Sequence, residues 1–506
     1  MSSGPGAPPG PAGPLAQARA EAPVLAPLLI AVFAASAYFV GPPAWNQNSR
    51  LALTRALVEH GSTIIDAYHA TTGDKSFRDG HFYSDKAPGT SLLAAPAYAL
   101  YYALARAVGA ERPEVRLVPL DPADEGREPD AKQPGDRLAY NFAYRTALYV
   151  CRLGSVTLAT VAATAALYLL ALARLGARRE ALLLAATWAL ATPALIYGAA
   201  LYGHQLCADF LVLGLAGVLL GQGTKAMAIG TGALLGLAVV CEYPAAVPVA
   251  LIWLFGAWRR GWRFGLASAL CGLGPALVLA GYHTAAFGSP LKTGYDFVYL
   301  AEFAEGMRVN YGIHAPDPRV LLEILFGAYR GLFYLAPVLL LAAWGFALEL
   351  RGWPPAPPDR AEGTWPIRPV ALLGLAITAF YLLLNAGYYM WDGGAAIGPR
   401  HCVPMLPFVA LALAPAIRTL PRAVVVLALL SGLQVIVAAA AAPEAPQHGD
   451  PLWAYAWPRL LSGDTGYLGA TNLGRMLGLP GPLSLAPLLL LLAWCWAQAR
   501  PHLDAK

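Results

Sequence analysis

The chain has 506 residues, of which 57% are hydrophobic and only 13% are charged, with a net charge of +5 and a mean hydropathy of +0.51. Soluble proteins carry roughly 25% charged residues, so this composition excludes an ordinary soluble domain and predicts an all-α polytopic membrane protein. The six cysteines are scattered and form no CxxC or Cys/His cluster, which argues against a disulfide framework or a zinc site. No basic run is interleaved with aromatics, so nucleic acid is not an expected partner.

The N-terminal region is predicted to be a disordered cytoplasmic tail over residues 1–22, because it is rich in Gly, Pro and Ala. The apolar run 23–40 that follows has two interpretations. Ala35-Ser36-Ala37 resembles the cleavage site of a signal peptide, whereas the length of the run and its sparse basic flank favour a retained first membrane helix. We prefer the second interpretation.

Apolar runs of about 17–25 residues predict about twelve membrane-spanning helices. The predicted spans are 23–41, 145–172, 181–200, 206–222, 226–242, 244–258, 264–284, 331–349, 369–387, 402–417, 423–441 and 482–499. We expect 23–441 to form the main membrane region, and 442–506 to be an external loop followed by a final helix.

The run Ser91–Gly109 decides the topology, because it is long enough to span but carries Pro96 and Arg106. If it does not span, the short loops rich in arginine and lysine all fall on one side, which the positive-inside rule places in the cytoplasm together with both termini. These basic loops contain Arg174, Arg178, Arg179, Lys225, Arg259, Arg260, Arg263, Arg351, Arg360, Arg368, Arg418 and Arg422. We therefore predict a re-entrant or interfacial helix at 91–109 and one external loop over 42–142, with 111–137 as a variable insertion.

The most polar part of the chain is residues 46–89, directly after the first apolar run. Its apolar residues at 51–58 follow a helical stripe, which predicts a short interfacial helix that Gly61 ends. The rest of the stretch mixes acids, bases and aromatics; an ordinary solvated loop is the alternative to a functional one. Further external pieces are predicted at 285–330 and 442–480, and Asp317-Pro318 is a helix start within the first of them.

With this topology, polar side chains from five separate regions meet at the external face, where ionisable groups are costly to desolvate and tend to be functional. Carboxylates there can act as a general base or hold a divalent cation such as Mg²⁺ or Mn²⁺, although no cofactor is required by the pattern. Lysine and arginine can stabilise a phosphate, and aromatics can stack on sugar or prenyl surfaces. The candidate catalytic residues are Asp66, Asp85 and Asp209, and the candidate substrate-binding residues are Asn48, Arg50, Tyr83, Lys86, His204, Glu242, Tyr243, Arg330, Arg400 and His401.

Three segments carry a resemblance to a known family. They are Asn46-Gln47-Asn48-Ser49-Arg50, Phe82-Tyr83-Ser84-Asp85-Lys86-Ala87-Pro88-Gly89 and Tyr202-Gly203-His204-Gln205-Leu206-Cys207-Ala208-Asp209. In content and order the chain resembles, over about residues 23–400, the GT-C class of integral-membrane glycosyltransferases, in the branch of the protein O-mannosyltransferases and the lipid A aminoarabinose transferase. The resemblance implies a polyprenyl-phosphate-linked sugar donor, a glycan, lipid or protein acceptor, and an active site on the external, periplasmic face of a bacterial inner membrane.

One departure from the family pattern concerns the general base. The first-loop acid of the family is matched here by the amides Asn46 and Asn48, and an amide cannot take a proton from a hydroxyl at neutral pH. An inverting transfer would then use Asp66 or, second in preference, Asp85 as the base. Two other classes stay open: a lipid or solute transporter, and a non-catalytic partner in envelope polysaccharide assembly.

Overall fold

The computed structural model describes residues 14–119, 136–221, 224–352, 365–441, 445–463 and 470–504. The first half of the chain contains the helices α1 (Pro14–Ala20), α2 (Ala22–Tyr38), α3 (Trp45–His60), α4 (Gly89–Ala107), α5 (Phe142–Arg152), α6 (Leu158–Leu175), α7 (Arg178–Leu190), α8 (Ala194–Gly198), α9 (Gly203–Leu220), α10 (Lys225–Cys241) and α11 (Ala246–Arg260). Helices α5 and α6 are joined by a π-helical turn and form one continuous helix over Phe142–Leu175.

The second half of the chain is also mostly helical. It contains α12 (Trp262–Phe287), α13 (Ala301–Met307), α14 (Pro318–Phe326), α15 (Leu332–Leu335), α16 (Leu340–Leu350), α17 (Ile367–Ala386), α18 (Leu406–Leu411), α19 (Ala414–Thr419), α20 (Pro421–Ala441), α21 (Trp457–Ser462), α22 (Leu473–Met476) and α23 (Ala486–Ala499). The architecture is thus a predominantly helical bundle, in line with the all-α class that the composition predicts.

In the part of the chain that the structure describes, the few strands form three small antiparallel pairs. They are β1 (Phe39–Val40) with β6 (Thr471–Asn472), β2 (Lys75–Arg78) with β3 (His81–Ser84), and β4 (Val115–Pro119) with β5 (Asp136–Tyr140). In the β2–β3 hairpin Phe77 lies opposite Phe82, and Gly80 in its turn has a φ of 84°, which glycine adopts without strain.

The predicted apolar runs coincide with helical structure, and within the described residues six helices are long and apolar enough to cross a membrane. These are Phe142–Leu175, Gly203–Leu220, Trp262–Phe287, Ile367–Ala386, Pro421–Ala441 and Gly481–His502. Shorter apolar helices lie at Ala22–Tyr38, Lys225–Cys241 and Pro337–Leu350. Some predicted spans are divided into shorter helices near Pro193, Pro337 and Pro404, because proline has no N–H to continue the hydrogen-bond ladder. The number of crossings, predicted as twelve, stays a prediction.

The outer surface of the bundle is apolar along the long helices. On α12 the side chains of Leu266, Leu270, Leu273 and Leu277 follow a helical spacing, and each is more than half exposed. An exposed apolar stripe of this length is what a helix presents to lipid. Helix α2 packs against α6, α7 and α23.

Several local predictions agree with the observed elements. Gly61 ends α3 in the left-handed conformation, with a φ of 62°, and the Asp317 carboxylate caps α14 by accepting a hydrogen bond from the Arg319 amide at 2.8 Å. Helix α4 is not among the helices apolar and long enough to span, and it packs along α3, where Tyr98 donates to Glu59 at 2.6 Å.

The predicted tail and insertion lie partly outside the described residues, which exclude 1–13 and 120–135. Residues 14–20 of the tail form helix α1 instead of being disordered.

Charged side chains at one end of the bundle are paired with each other. The ion pairs join Arg178 to Glu21 at 2.8 Å, Arg174 to Glu349 at 3.3 Å and Arg418 to Glu180 at 3.1 Å. All three arginines belong to the basic loops that the sequence groups on one side. The N-terminal end of α2 and the C-terminal end of α6 meet there, so this end is opposite to the one where α2 ends and α9 begins.

Candidate active site

A small cleft lies at the end of the bundle where α2, α10 and α17 end and α9 begins. The opposite ends of these helices are roughly 25 Å away, because each has 17 or more residues with a rise of about 1.5 Å per residue. The residues that line the cleft are Asn46, Arg50, Asp74, Asp85, Lys86, Ala87, His204, Glu242, Tyr295, Val298, Phe303, Met307, Tyr388, Tyr389, Met390, Arg400 and His401.

A lysine between two carboxylates forms the first charged cluster of the cleft. The Nζ atom of Lys86 lies 3.0 Å from Asp74 Oδ2 and 3.2 Å from Asp85 Oδ2. Asp85 is almost fully buried, and its second oxygen, Oδ1, has no hydrogen-bond partner. A buried carboxylate oxygen without a protein partner is unusual in a folded protein, and a water molecule, an ion or a ligand would supply the missing hydrogen bond.

Burial and charge act in opposite directions on these two groups. Burial raises the pKa of Asp85 to about 6, although the adjacent Lys86 ammonium partly offsets this rise. For Lys86, burial alone would lower the pKa, but the negative charges of Asp74 and Asp85 outweigh it and hold the pKa above its ordinary value. Lys86 is therefore a permanent cation, and Asp85 is a carboxylate that can take up a proton close to neutral pH.

A buried arginine forms the second charged cluster. Arg50 on α3 donates from Nη1 to Asn46 Oδ1 at 2.7 Å and from Nη2 to Glu242 Oε1 at 3.1 Å. The Nδ1 atom of His204, at the start of α9, lies 3.3 Å from the same Glu242 oxygen. Arg50 thus ties the first polar stretch to the end of α10, and a planar guanidinium is suited to such a two-sided contact.

The third side of the cleft comes from the segment between α17 and α18. The His401 ring lies 5.1 Å from the His204 ring and 5.3 Å from the Tyr388 ring, both edge-on. The Arg400 guanidinium lies 5.8 Å from the centre of the Tyr202 ring. Together with Tyr295 and Tyr389, these residues make a wall that is aromatic but bears a positive charge.

Two glycines allow these elements to approach each other. A Cβ atom on Gly203 would lie 2.4 Å from Glu242 Oε1 and 2.7 Å from the Cys241 carbonyl, and one on Gly294 would lie 2.6 Å from the Asp85 Cα. Side chains at these positions would push the charged groups apart. The sequence places glycine where the backbone segments of the cleft are in closest contact.

The structure brings together seven of the thirteen residues predicted for the site. They are Arg50, Asp85, Lys86, His204, Glu242, Arg400 and His401. These come from the first polar stretch, the α9 start, the α10 end and the segment before α18, which the sequence assigns to separate loops.

The other six predicted residues do not line the cleft. Asp66, the preferred base, is exposed and binds His81 Nδ1 at 2.7 Å and the Phe82 amide at 2.7 Å. Asp209 is buried within the bundle and accepts hydrogen bonds from Thr160 at 2.9 Å and Gln205 at 2.8 Å. The carboxylates of both residues are therefore occupied by protein groups away from the cleft.

The remaining four are held in structural contacts. Arg330 is buried and donates to the carbonyls of Asp392 at 2.7 Å and Gly394 at 2.6 Å. Asn48 donates to the Thr71 carbonyl at 2.9 Å. Tyr83 packs against Phe287 with ring centres 5.7 Å apart, and the Tyr243 hydroxyl lies 3.0 Å from His283 Nε2.

Several residues of the cleft were not among the predicted site residues. Asp74, Tyr388 and Tyr389 lie in loops, where no periodicity indicates which side chains turn inward. For Asp74 a signal existed, because it belongs to the same charged stretch as Asp85 and Lys86. Phe303 and Met307 also line the cleft, and as apolar residues they carry no polar signal.

A resident metal ion does not fit these residues. Among the described residues, no group of three or more His, Cys, Asp and Glu side chains is arranged to hold one. Asp74 and Asp85, which share the charged cluster, are bridged by the Lys86 ammonium, which occupies the place a cation would take. We therefore assign no step to a metal.

No protein-family model and no curated protein matches the chain in sequence. Among solved structures, ArnT from Cupriavidus metallidurans bound to undecaprenyl phosphate is similar, with 14% identity and a TM-score of 0.48 over 94% of this chain and 75% of that one. The oligosaccharyltransferase of Archaeoglobus fulgidus in the apo form shows 15% identity and a TM-score of 0.40, over 90% of this chain and 57% of that one. The archaeal oligosaccharyltransferase AglB, in complex with an inhibitory peptide and a dolichol-phosphate, shows 13% identity and a TM-score of 0.41.

ArnT and AglB are both GT-C glycosyltransferases, the class that the sequence resembles. The chain spans little more than half the length of the oligosaccharyltransferase. The identities are at or below 15% and the TM-scores are below 0.5, so these similarities do not indicate the chemistry of the cleft. We infer that chemistry from this chain's own residues.

Proposed function

We propose that the chain is a GT-C-type membrane glycosyltransferase that moves a sugar from a polyprenyl-phosphate-linked donor to an acceptor on the outer face of a bacterial inner membrane. The observation that supports this proposal is the convergence of Lys86, Arg50 and Arg400 with three carboxylates in one cleft at the end of apolar helices. A lipid-linked donor needs such a place, where a charged headgroup leaves the bilayer while its tail stays in it.

Lys86 is the proposed ligand of the donor phosphate. An ammonium group carries three donor hydrogens, and Asp74 and Asp85 accept two of them. The third is available to a phosphate oxygen in the cleft. Arg400 on the opposite wall adds a second positive charge, and charge-assisted hydrogen bonds of this kind are about twice as strong as neutral ones.

Asp85 is the proposed general base. Its carboxylate accepts the proton of the acceptor hydroxyl while the acceptor oxygen forms a bond to the anomeric carbon of the sugar. The bond from that carbon to the phosphate oxygen breaks, and the electron pair leaves with the phosphate. Attack from the side opposite to the phosphate inverts the anomeric configuration. A carboxylate whose pKa is raised to about 6 is both ionised and sufficiently basic near neutral pH.

The aromatic wall completes the site. Tyr295, Tyr388 and Tyr389 offer ring faces and hydroxyl groups to a sugar, and Phe303 and Met307 add apolar surface for the first units of a prenyl chain. A cleft at the helix ends is not what a transporter presents, because transporters place their binding groups near the bilayer midplane.

The experiment uses the purified protein in lipid nanodiscs with a set of undecaprenyl-phosphate-linked sugars, and measures the release of undecaprenyl phosphate. We expect release with at least one donor. Asp85→Asn should lower turnover by about 10²–10⁴-fold, the usual contribution of a general base. Asp66→Asn is the matched control, since the same substitution there lies outside the cleft.

The two variants also separate the alternatives. If Asp66→Asn is inactive and Asp85→Asn turns over normally, the base is Asp66, as the sequence alone suggests. If undecaprenyl phosphate binds but no donor is consumed, the chain is a non-catalytic partner. If undecaprenyl phosphate does not bind better than undecaprenol, the proposed donor class is wrong.

A further inference from the structure

Three aromatic rings form a cluster beside the cleft. The proposed reaction does not use this cluster. Phe77 and Phe82 face each other across the β2–β3 hairpin with ring centres 4.9 Å apart, and Tyr299 lies 6.0 Å from Phe77 and 5.1 Å from Phe82. Phe77 is 43% exposed and Tyr299 is 48% exposed. We call Phe77, Phe82 and Tyr299 the rim platform.

The rings of the rim platform are held in position by the side chains of Lys75 and His69, which pack against them. The Lys75 ammonium lies 5.0 Å from the Phe82 ring centre and 5.2 Å from that of Tyr299, and it donates to the His69 carbonyl at 2.9 Å. The His69 ring stacks on Phe82 at 4.0 Å. The exposed rings are therefore fixed in position, and a ligand that binds them pays little for ordering side chains.

Two segments of the chain form the rim platform, and each of them also contributes a residue to the lining of the cleft. Asp74 lines the cleft directly before Lys75, and Val298 lines it directly before Tyr299. The two segments are joined by hydrogen bonds from the Tyr299 amide to the Lys75 carbonyl at 3.0 Å and from the Ser76 hydroxyl to the Gly294 carbonyl at 2.7 Å. A molecule whose end enters the cleft would thus extend across these rings.

The surroundings of the rim platform are polar, which argues against burial of the rings in lipid. Asp79, in the hairpin turn, has a side chain that is 75% exposed and pairs with Arg78 at 3.0 Å. Asp66 and His81 form an exposed pair directly beside Phe82. Charged groups at this density are costly to place in a bilayer core, whereas they suit a ligand that has hydroxyl groups at its edge.

We infer that the rim platform is a binding subsite for a carbohydrate acceptor, an inference that rests on the proposed glycosyltransferase function. A sugar ring has an apolar face of C–H groups and a rim of hydroxyls. The first packs against the exposed aromatic rings, and the second hydrogen-bonds to the exposed Asp79 carboxylate in the hairpin turn. The acceptor would be a glycan of several units, with its reactive hydroxyl at Asp85 and its next units on Phe77 and Tyr299.

The test is saturation-transfer NMR on the protein in nanodiscs with four defined probes: maltohexaose, cellohexaose, mannohexaose and chitohexaose. We expect saturation of ring C–H protons for at least one of them. Phe77→Ala and Tyr299→Ala should each weaken the binding of that probe about tenfold. Phe142→Ala is the matched control, because Phe142 is 73% exposed and lies at the start of α5, away from the rim platform. Equal melting temperatures would show that the variants fold.

Three results would overturn the inference: no saturation for any probe, unchanged affinity in both platform variants, or quenching by doxyl lipid of a fluorophore attached at Phe77→Cys. The last would place the ring in the bilayer. Undecaprenyl phosphate binding is measured in the same samples. Phosphate binding without glycan binding removes the subsite and leaves the proposed function, whereas glycan binding without phosphate binding removes the proposed donor and leaves the subsite.

Discussion

At the scale of single residues, the cleft contains equal numbers of positive and negative side chains. Three cations, Arg50, Lys86 and Arg400, face the three carboxylates Asp74, Asp85 and Glu242. When Asp85 accepts the acceptor proton, this wall loses one negative charge as the leaving phosphate gains one. The net charge around Lys86 thus stays constant during the proposed reaction, and preorganised charges of this kind lower a barrier without reorganisation.

The first prediction concerns Lys86. We expect Lys86→Ala to weaken the binding of undecaprenyl phosphate by about ten- to a hundredfold, because it removes a charge-assisted hydrogen bond worth roughly 1.5–3 kcal/mol. Native mass spectrometry of the protein in nanodiscs measures the affinity. Lys292→Ala, which removes an exposed lysine outside the cleft, is the control. Equal affinity in Lys86→Ala and wild type would remove Lys86 from the phosphate site.

The second prediction concerns pH. Burial raises the pKa of Asp85 to about 6, so the carboxylate is protonated below this pH and cannot accept the acceptor proton. The turnover of the wild type should therefore rise between about pH 5 and pH 7 and then level off. Asp85→Glu should move the midpoint of this rise, and Asp66→Asn should not. A flat profile in the wild type would contradict Asp85 as the base.

Much of the site could be predicted from residue type and order, and the part that could not has a physical reason. Asp85, Lys86, Glu242 and Arg400 are polar residues at the ends of apolar runs, a signal that sequence carries. Asp66 is also a polar residue near an apolar run, yet its carboxylate accepts hydrogen bonds from the β2–β3 hairpin, at His81 and the Phe82 amide, outside the cleft. Strand pairing over four residues on each side depends on tertiary contacts, such as those with Gly294 and Val298, which the sequence pattern does not contain.

At the scale of elements, the site depends on the close contact of the α9 start with the α10 end. Gly203 permits it, since Glu242 Oε1 and the Cys241 carbonyl occupy the space that a side chain would need. Helix α10 in turn contacts the start of α4, where a Cβ atom on Gly89 would lie 2.7 Å from the Cys241 amide. Hydrophobic periodicity predicts the helices themselves, but it does not predict which helix ends touch.

The third prediction tests this contact. Gly203→Ala should move Glu242 away from Arg50 and destabilise the protein by about 1–3 kcal/mol, as overpacking does in tight interiors. Thermal unfolding in detergent measures this as a lowered Tm, and donor turnover should fall as well. Gly230→Ala is the control, because that glycine lies within α10 with no atom within 4 Å of an added Cβ. It should be neutral or stabilising, since alanine is the better helix former by up to about 1 kcal/mol. Equal Tm values for the two variants would show that the contact is loose.

At the scale of the whole molecule, the basic loops and the candidate chemistry lie at opposite ends. Arg174, Arg178 and Arg418 of the basic loops form ion pairs at one end, where Arg260 also donates to the Val218 carbonyl at 2.7 Å, and the cleft lies at the other. From the positive-inside rule we predict that the first end is cytoplasmic and that the cleft is external. The same assignment requires that α4 does not cross the membrane, which its packing along α3 favours.

The last prediction is this topology, tested with a membrane-impermeant maleimide on spheroplasts. Of the six native cysteines five are buried and Cys271 is half-buried, so Cys271→Ala gives a background of low reactivity. In that background we expect Asp79→Cys and Glu111→Cys to be labelled in intact spheroplasts, because one precedes α4 and the other follows it in the same external loop. Arg179→Cys, in the first turn of α7, should be labelled only after permeabilisation. Labelling of Glu111→Cys only after permeabilisation would mean that α4 spans the membrane. The arginine-rich loops after it would then be external, and the positive-inside rule, on which the external position of the cleft depends, would fail for this protein.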